Sequence, residues 1–290
     1  MSKNIIITLT EGDHDSAFLA RILKANDFNS YKSLIKDFPL PLNEFLKMDI
    51  LKISIDEVRV EEARRTRFLP SYVLETKDCL VLIYSVGGDT KDAIRIELFN
   101  VLDAFFDPDP TAIQPFPDTK FSVLYFLDAD EMGIKARCDQ IKGELEKCFG
   151  PVSTPEEIGN AQSYDIHQLT FGAFIFSDPE SGTGKLEDIL IPIMKTDNED
   201  VFGEAEKFLS IHEETKIFKG RVSYKDGKIH KVNGQRFDLK KSLVGTIGQL
   251  QNSGKSNTVC ISDGDYLTNE KIKNDKTCNE IITFITSFIK

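Results

Sequence analysis

The chain has 290 residues, 40% of them hydrophobic and 29% charged, which suits a soluble globular protein. Its formal net charge of −11 excludes a general nucleic-acid coat, because nonspecific affinity for the phosphate backbone comes from Lys and Arg. No apolar run approaches the roughly 18 residues of a membrane span. The N-terminus has no cleavable leader pattern, and the five cysteines form neither a zinc knuckle nor a disulfide framework, so a cytoplasmic location with reduced thiols is expected.

In chain order, Asn4 to Leu9 (NIIITL) reads as a buried strand rich in β-branched residues. Thr10-Glu11-Gly12-Asp13-His14-Asp15 follows, and then a helix over Ser16 to Ala25 with Phe18, Leu19, Ile22 and Leu23 on one apolar face. Residues 27–75 read as an insertion, with a turn around Pro39 and Pro41 and a basic cluster at Arg64, Arg65 and Arg67. Cys79 to Val86 is a second strand, broken by Gly87-Gly88-Asp89, and a helix is predicted over Thr90 to Phe106. After a proline-bearing loop over 107–118, Phe121 to Leu127 is a third strand, stopped by Asp128-Ala129-Asp130, and Ile134 to Phe149 has helical periodicity. Phe171 to Phe176 is a fourth strand, followed by a glycine-bearing loop and a helix-like LEDILIPIM. A hairpin is expected within 218–238, a short strand over Thr258 to Ser262, and a terminal helix over Asn279 to Ile289.

The repeated order of apolar strand, turn and helix predicts an α/β fold with a mostly parallel central sheet flanked by helices. A core over 1–195 with an insertion near 27–75, and a C-terminal α+β extension over 196–290 packed on it, is the expected organisation. Carboxyl ends of parallel strands gather at one edge, where open α/β sheets bind ligands. Glu11 and Asp15, Gly87 and Gly88, Asp128 and Asp130, and Glu187 and Asp188 all follow such strands. If the chain stays extended at Asp128 and Asp130, both side chains point the same way and can meet one hard cation. Glu187 and Asp188 also suit the positive end of a helix dipole without any ligand. Neither SGTGK nor SGKS has the spacing of a nucleotide-binding P-loop, although Lys185 and Lys255 remain candidate phosphate contacts. His14 lies inside the first acidic loop, within reach of a substrate there.

These motifs resemble the Toprim fold: Glu11 in TEGDHD, the pair Gly87-Gly88, and Asp128 and Asp130 in YFLDADEMG. The spacing of Glu11 and Asp15, and the SGTGKLEDIL string with Glu187 and Asp188, resemble the branch of overcoming-lysogenization-defect nucleases. The layout is also similar to small stand-alone bacterial Toprim proteins. The resemblance implies a magnesium or manganese site held by Glu11, Asp128 and Asp130, with Asp15, Glu187 and Asp188 serving a second ion. Gly12, Gly87 and Gly88 would let the backbone approach the bound group, and Lys185 or Lys255 would neutralise charge on a phosphoryl oxygen. It implies a metal-dependent phosphodiester hydrolase acting on DNA or RNA. The chain carries no ATPase module, zinc finger or winged helix, which leaves room for a protein partner that supplies specificity. A noncatalytic binding or regulatory protein on the same scaffold, and a nucleotide phosphoryl-transfer enzyme, are the alternatives.

Overall fold

A computed structural model describes residues 4–38, 69–87, 92–103, 120–152, 161–166, 169–211, 222–225, 228–232 and 237–289. The basic cluster at Arg64, Arg65 and Arg67, the prolines at 39 and 41, the loop over 107–118 and Gly88 lie outside the described residues.

Strand β1 (Asn4–Thr10) is buried along its whole length, as its unbroken apolar sequence demands. Helix α1 (Asp13–Ala25) follows, then the short β2 (Asn29–Ser30), β3 (Tyr72–Glu75) and β4 (Cys79–Ser85). Helix α2 (Asp92–Asp103) leads to β5 (Lys120–Asp128) and helix α3 (Gly133–Phe149) leads to β6 (Ala161–Ile166) and β7 (Leu169–Phe176). The strands form one sheet in the order β2-β3-β4-β1-β5-β7-β6. The central pairs β4–β1, β1–β5 and β5–β7 are parallel, and the flanking pairs are antiparallel. The sheet is therefore partly parallel, a Rossmann-like arrangement with antiparallel edges.

Strand periodicity sorts the core into two layers. Ile5, Ile7 and Leu9 of β1 join Leu98, Phe99 and Leu102 of α2 and Ile141 and Leu145 of α3 on one face. Ile6 joins Phe18, Leu19, Ile22 and Leu23 of α1 on the other, so the apolar face expected for that helix is the one it buries. Because β4 and β5 flank β1 on opposite sides, the chain reverses its winding direction at β1. A crevice opens at the carboxyl ends of strands at such a point.

The second layer is completed by helices of the C-terminal segment, whose described residues are mostly helical. It comprises α4 (Leu186–Lys195), α5 (Glu199–Ile211), the hairpin β8 (Val222–Lys225) and β9 (Lys228–Val232), α6 (Leu239–Gln251), α7 (Asn257–Asp263), α8 (Asn269–Asn274) and α9 (Lys276–Ser287). Gly172 lets α9 reach the sheet, since a Cβ there would lie 2.7 Å from Phe288 and 2.8 Å from Phe284. The hairpin lies where it was expected. The short strand expected at Thr258 to Ser262 is instead helix α7. Its β-branched residues are overruled by tertiary contacts. Cys260 packs against Gly248 of α6, and the Arg21 guanidinium donates to the carbonyls of Ser262 in the last turn and Leu267 beyond it. Among the described residues no helix is long and apolar enough to cross a membrane.

Candidate functional site

The turn after β1 is built locally. The Thr10 hydroxyl touches the Ser16 hydroxyl at 2.7 Å, and Gly12 N–H donates to Asp15 Oδ2 at 2.7 Å. Helix α1 therefore begins at Asp13, three residues earlier than its apolar face indicates, and Asp15 sits in the first turn. There the carboxylate is only 6% exposed. Asp128, the last residue of β5, accepts a hydrogen bond on Oδ1 from Leu186 N–H, the first amide of α4, at 2.8 Å. That bond carries α4 to the end of β5 and places Glu187, 3% exposed, in the same crevice.

Glu11, Asp15, Asp128 and Glu187 thus share one cavity of about 340 Å³. Burial and the charges of Asp15 and Glu11 push the Asp128 carboxyl up to about 9. Burial, opposed by the Gly12 amide and reinforced by Glu11 and Glu187, brings Asp15 up to about 7. Near neutral pH the cluster retains protons because full ionisation would place uncompensated charges together. His14 Nδ1 lies 3.6 Å from Glu187 Oε1 at the cavity wall.

Part of the lining comes from the C-terminal helices. Lys241, in the first turn of α6, and Thr258, in α7, both line the cavity. Asn257 Nδ2 donates to the Lys241 carbonyl at 2.9 Å and fixes the two helices side by side. Neither residue follows a strand, so no local motif identifies them. The periodic apolar run of Leu243, Val244 and Ile247 after the N-cap Asp238 is the signal that marks α6 itself.

Other expected site residues take different places. Asp130 stands at the same sheet edge, but its φ of 47° ends the extended geometry that would align it with Asp128. Its carboxylate accepts from Arg137 Nη2 at 2.7 Å, is 51% exposed, and does not line the cavity. Asp188 caps α4 through Lys185 N–H at 3.0 Å and accepts from the Lys240 ammonium. The Lys185 ammonium pairs with Asp238, also outside the cavity lining. Lys255 lies exposed in the turn after α6, where its amide donates to Asn252 O at 3.0 Å. Gly12 lines the cavity as the N-cap of α1, whereas Gly87 accepts from buried Arg95 at 3.2 Å. The SGTGK loop is a structural zipper. Asp130 and Gly184 exchange backbone hydrogen bonds at 2.7 and 2.9 Å, and a Cβ on Gly184 would lie 2.6 Å from Asp188 Oδ2.

Among the described residues no three His, Cys, Asp or Glu side chains are arranged to hold a metal ion. A preformed three-ligand site is therefore not what these residues present. Their oxygen donors fit the weaker case, in which one or two carboxylates share a magnesium-type ion with a ligand phosphate. Asp128 with Asp15 or Glu187 would serve in that way.

The fold and cavity define a partly parallel α/β protein with an acidic crevice at the strand carboxyl ends, roofed by C-terminal helices. Residues 120–289, more than half the chain, match the family described as "Protein of unknown function (DUF3226)", and the chain belongs to that family. The matched span holds Asp128, Glu187, Lys241 and Thr258, while Glu11 and Asp15 precede it. No curated protein and no solved structure matches the chain.

Proposed function

We propose that the protein is a Toprim-like binding module whose cavity takes a phosphate group of a nucleotide or nucleic acid together with a divalent cation. The observation that carries this reading is the mixed lining. Four carboxylates, Glu11, Asp15, Asp128 and Glu187, line one cavity together with Lys241 and Thr258 of the C-terminal helices. Acids alone would repel phosphate, and a lysine alone would not need four acids beside it. A cation–phosphate pair satisfies both. When bound, the cation, magnesium or manganese, would neutralise the carboxylates and the phosphate oxygens at once. The protein's own residues do the rest. Lys241 and Thr258 bind and orient the phosphate, and the buried acids position the ion.

Binding stands ahead of hydrolysis because two acids of the Toprim-type trio of Glu11, Asp128 and Asp130 are already engaged within the protein. Asp130 is engaged by Arg137, and the Leu186 amide occupies one oxygen of Asp128. Phosphodiester hydrolysis on DNA or RNA is the second reading. It is favoured by Glu187, a fourth carboxylate in the cavity beyond what cation sharing with phosphate requires.

Calorimetry with magnesium and a nonhydrolysable nucleotide, or a short single-stranded oligonucleotide, tests the proposal. Cation and phosphate ligand should each tighten the other's binding, and Lys241→Met should weaken the phosphate ligand at least tenfold. Independent or absent binding sinks the module reading. Metal-dependent cleavage of the oligonucleotide, lost in Asp128→Asn, would move hydrolysis to first place.

A further inference from the structure

We infer that Arg137 is a built-in counter-ion that draws part of the acidic edge away from the cavity and thereby sets how tightly a divalent cation binds there. The inference rests on the cation–phosphate reading of the cavity and concerns its regulation.

Arg137 lies in the second turn of α3 and is 1% exposed, the largest fully buried side chain in the described protein. Its Nε donates to the Asp128 carbonyl at 2.7 Å, and Nη1 donates to Gln140 Oε1 at 2.8 Å. Nη2 donates to Asp130 Oδ2 at 2.7 Å and lies 3.6 Å from Glu11 Oε1. One guanidinium thus grips the end of β5 by its backbone and faces two of the three acids expected to hold an ion. The planar fork of arginine can meet these groups together, and its charge persists at any pH the fold survives. The left-handed turn at Asp130, fastened to Gly184, delivers that carboxylate to Arg137 instead of to the cavity.

Two consequences follow from electrostatics. A fixed positive charge beside Glu11 opposes a second cation nearby. With Asp130 held outside, the cavity also offers an incoming ion fewer oxygens. A free ion should then bind weakly, and a phosphate ligand supplies the missing donors. Arg137 acts through the acids it holds, so it is a positioning residue.

The sign of the effect separates this role from a merely structural one. A residue that only shapes the cavity should weaken cation binding when replaced. A counter-ion should tighten it. Manganese binding without phosphate, read by calorimetry and by the manganese-dependent shift in melting temperature, is the measurement. Arg137→Gln is expected to tighten manganese at least tenfold, and adding Asp130→Asn should abolish the gain. Arg137→Lys keeps the charge but cannot hold both carboxylates and the carbonyl, so a rise of about threefold is expected. This variant carries the test if Arg137→Gln does not fold. Unchanged or weaker manganese binding in the folded variants overturns the counter-ion, provided the wild type binds manganese with a phosphate ligand present. If neither wild type nor variants bind manganese even with that ligand, the cation–phosphate reading itself is overturned.

Discussion

Two groups of polar side chains lie on the same sheet, one on the face covered by α2 and α3 and the other at the carboxyl edge, and they solve the problem of buried charge differently. On the face covered by α2 and α3, Arg95 meets Glu144 through Nε at 2.8 Å and Nη2 at 2.8 Å, and the Tyr125 hydroxyl donates to Glu144 at 2.9 Å. A fourth contact, Arg95 Nη1 to the Gly87 carbonyl, ties in the end of β4. Positive and negative charge balance within the group. At the carboxyl edge, Asp15, Asp128 and Glu187 bring three carboxyls together, with the His14 imidazole 3.6 Å from Glu187 and the Lys185 ammonium, already paired with Asp238, attracted to Glu187 and Asp128. Balanced buried networks rigidify a fold, whereas unbalanced ones leave work for a ligand or a proton. The comparison therefore separates the first group, which is architecture, from the second, the candidate site.

Breaking the balanced group should give the largest effect. Glu144→Gln removes the Glu144 charge from beside the buried Arg95 guanidinium, and removing one member of a buried pair costs about 3–5 kcal/mol. Urea unfolding should show that loss. Replacing Arg95 by Met, Glu144 by Leu and Tyr125 by Phe together should recover much of it, because no buried charge then remains. A single-variant loss below about 1 kcal/mol would place the Arg95 group among surface-like pairs.

The unbalanced group should respond with the opposite sign. Asp128 has an ordinary value of 3.8 and rises to about 9 in the fold. Its folded-state pKa is raised, so the fold favours the protonated acid. Stability from this group is full below the unfolded value and falls as pH climbs from about 4 towards 9. Asp128→Asn removes the penalty while keeping an oxygen for the Leu186 amide. At pH 7 to 8 the variant should be more stable than wild type, on the order of 2–4 kcal/mol, with no difference near pH 4. Thermal unfolding across that range checks the sign. Saturating manganese with a phosphate ligand should shrink or reverse the difference, because the ligand compensates the charge that the mutation deletes.

The same contrast explains what the sequence makes legible. The four central strands announce themselves as apolar runs; Glu11 and Asp128 are legible because they stand at the end of one, and Asp15 and Glu187 because they stand in the first turn of the helix that comes after one. The fate of Asp130 is not legible, since a left-handed φ at a single non-glycine residue leaves no pattern in the letters around it. Arg137 reads as one more polar residue of a periodic helix, and nothing local says that its guanidinium turns inward. Lys241 and Thr258 reach the cavity only after α7 folds back over α1, a contact between residues more than two hundred positions apart, with α6 packed beside α7. For α7, the run TVCIS favours a strand locally, and only packing against Gly248 and the Arg21 clamp decides for helix.

Glu187→Gln tests whether the fourth acid belongs to the site or only to the helix start. As a helix-dipole residue alone it would lose a few tenths of a kcal/mol in stability and nothing in binding. As part of the cavity it should weaken combined binding of cation and phosphate about tenfold, or roughly 1.4 kcal/mol, with folding intact. If cleavage activity is found, a similar fall in turnover at limiting metal is expected. Full retention of both would remove Glu187 from the site and return the bland reading of its position.

The smallest effect is expected where two helices that line the cavity are joined at the surface. Asp188 caps α4 and accepts from the Lys240 ammonium, while Asp238 caps α6 and accepts from the Lys185 ammonium. Each carboxylate serves its own helix start and the lysine of the other. The two crossed pairs therefore fasten the helix that carries Glu187 to the helix that carries Lys241. Lys240 is 44% exposed, so water and salt screen its attraction, and exposed pairs of this kind contribute about 0.2–1 kcal/mol. Lys240→Gln should cost no more than that in dilute buffer and nothing measurable in about 1 M salt, where the screening length falls to about 3 Å. The Arg95–Glu144 pair, shielded from ions, should keep most of its contribution in the same salt. Binding is the sharper readout. If the crossed pairs only decorate the surface, Lys240→Gln leaves phosphate affinity unchanged. If they hold Lys241 beside the acids, affinity should fall two- to threefold in dilute buffer, and added salt should bring wild type and variant together.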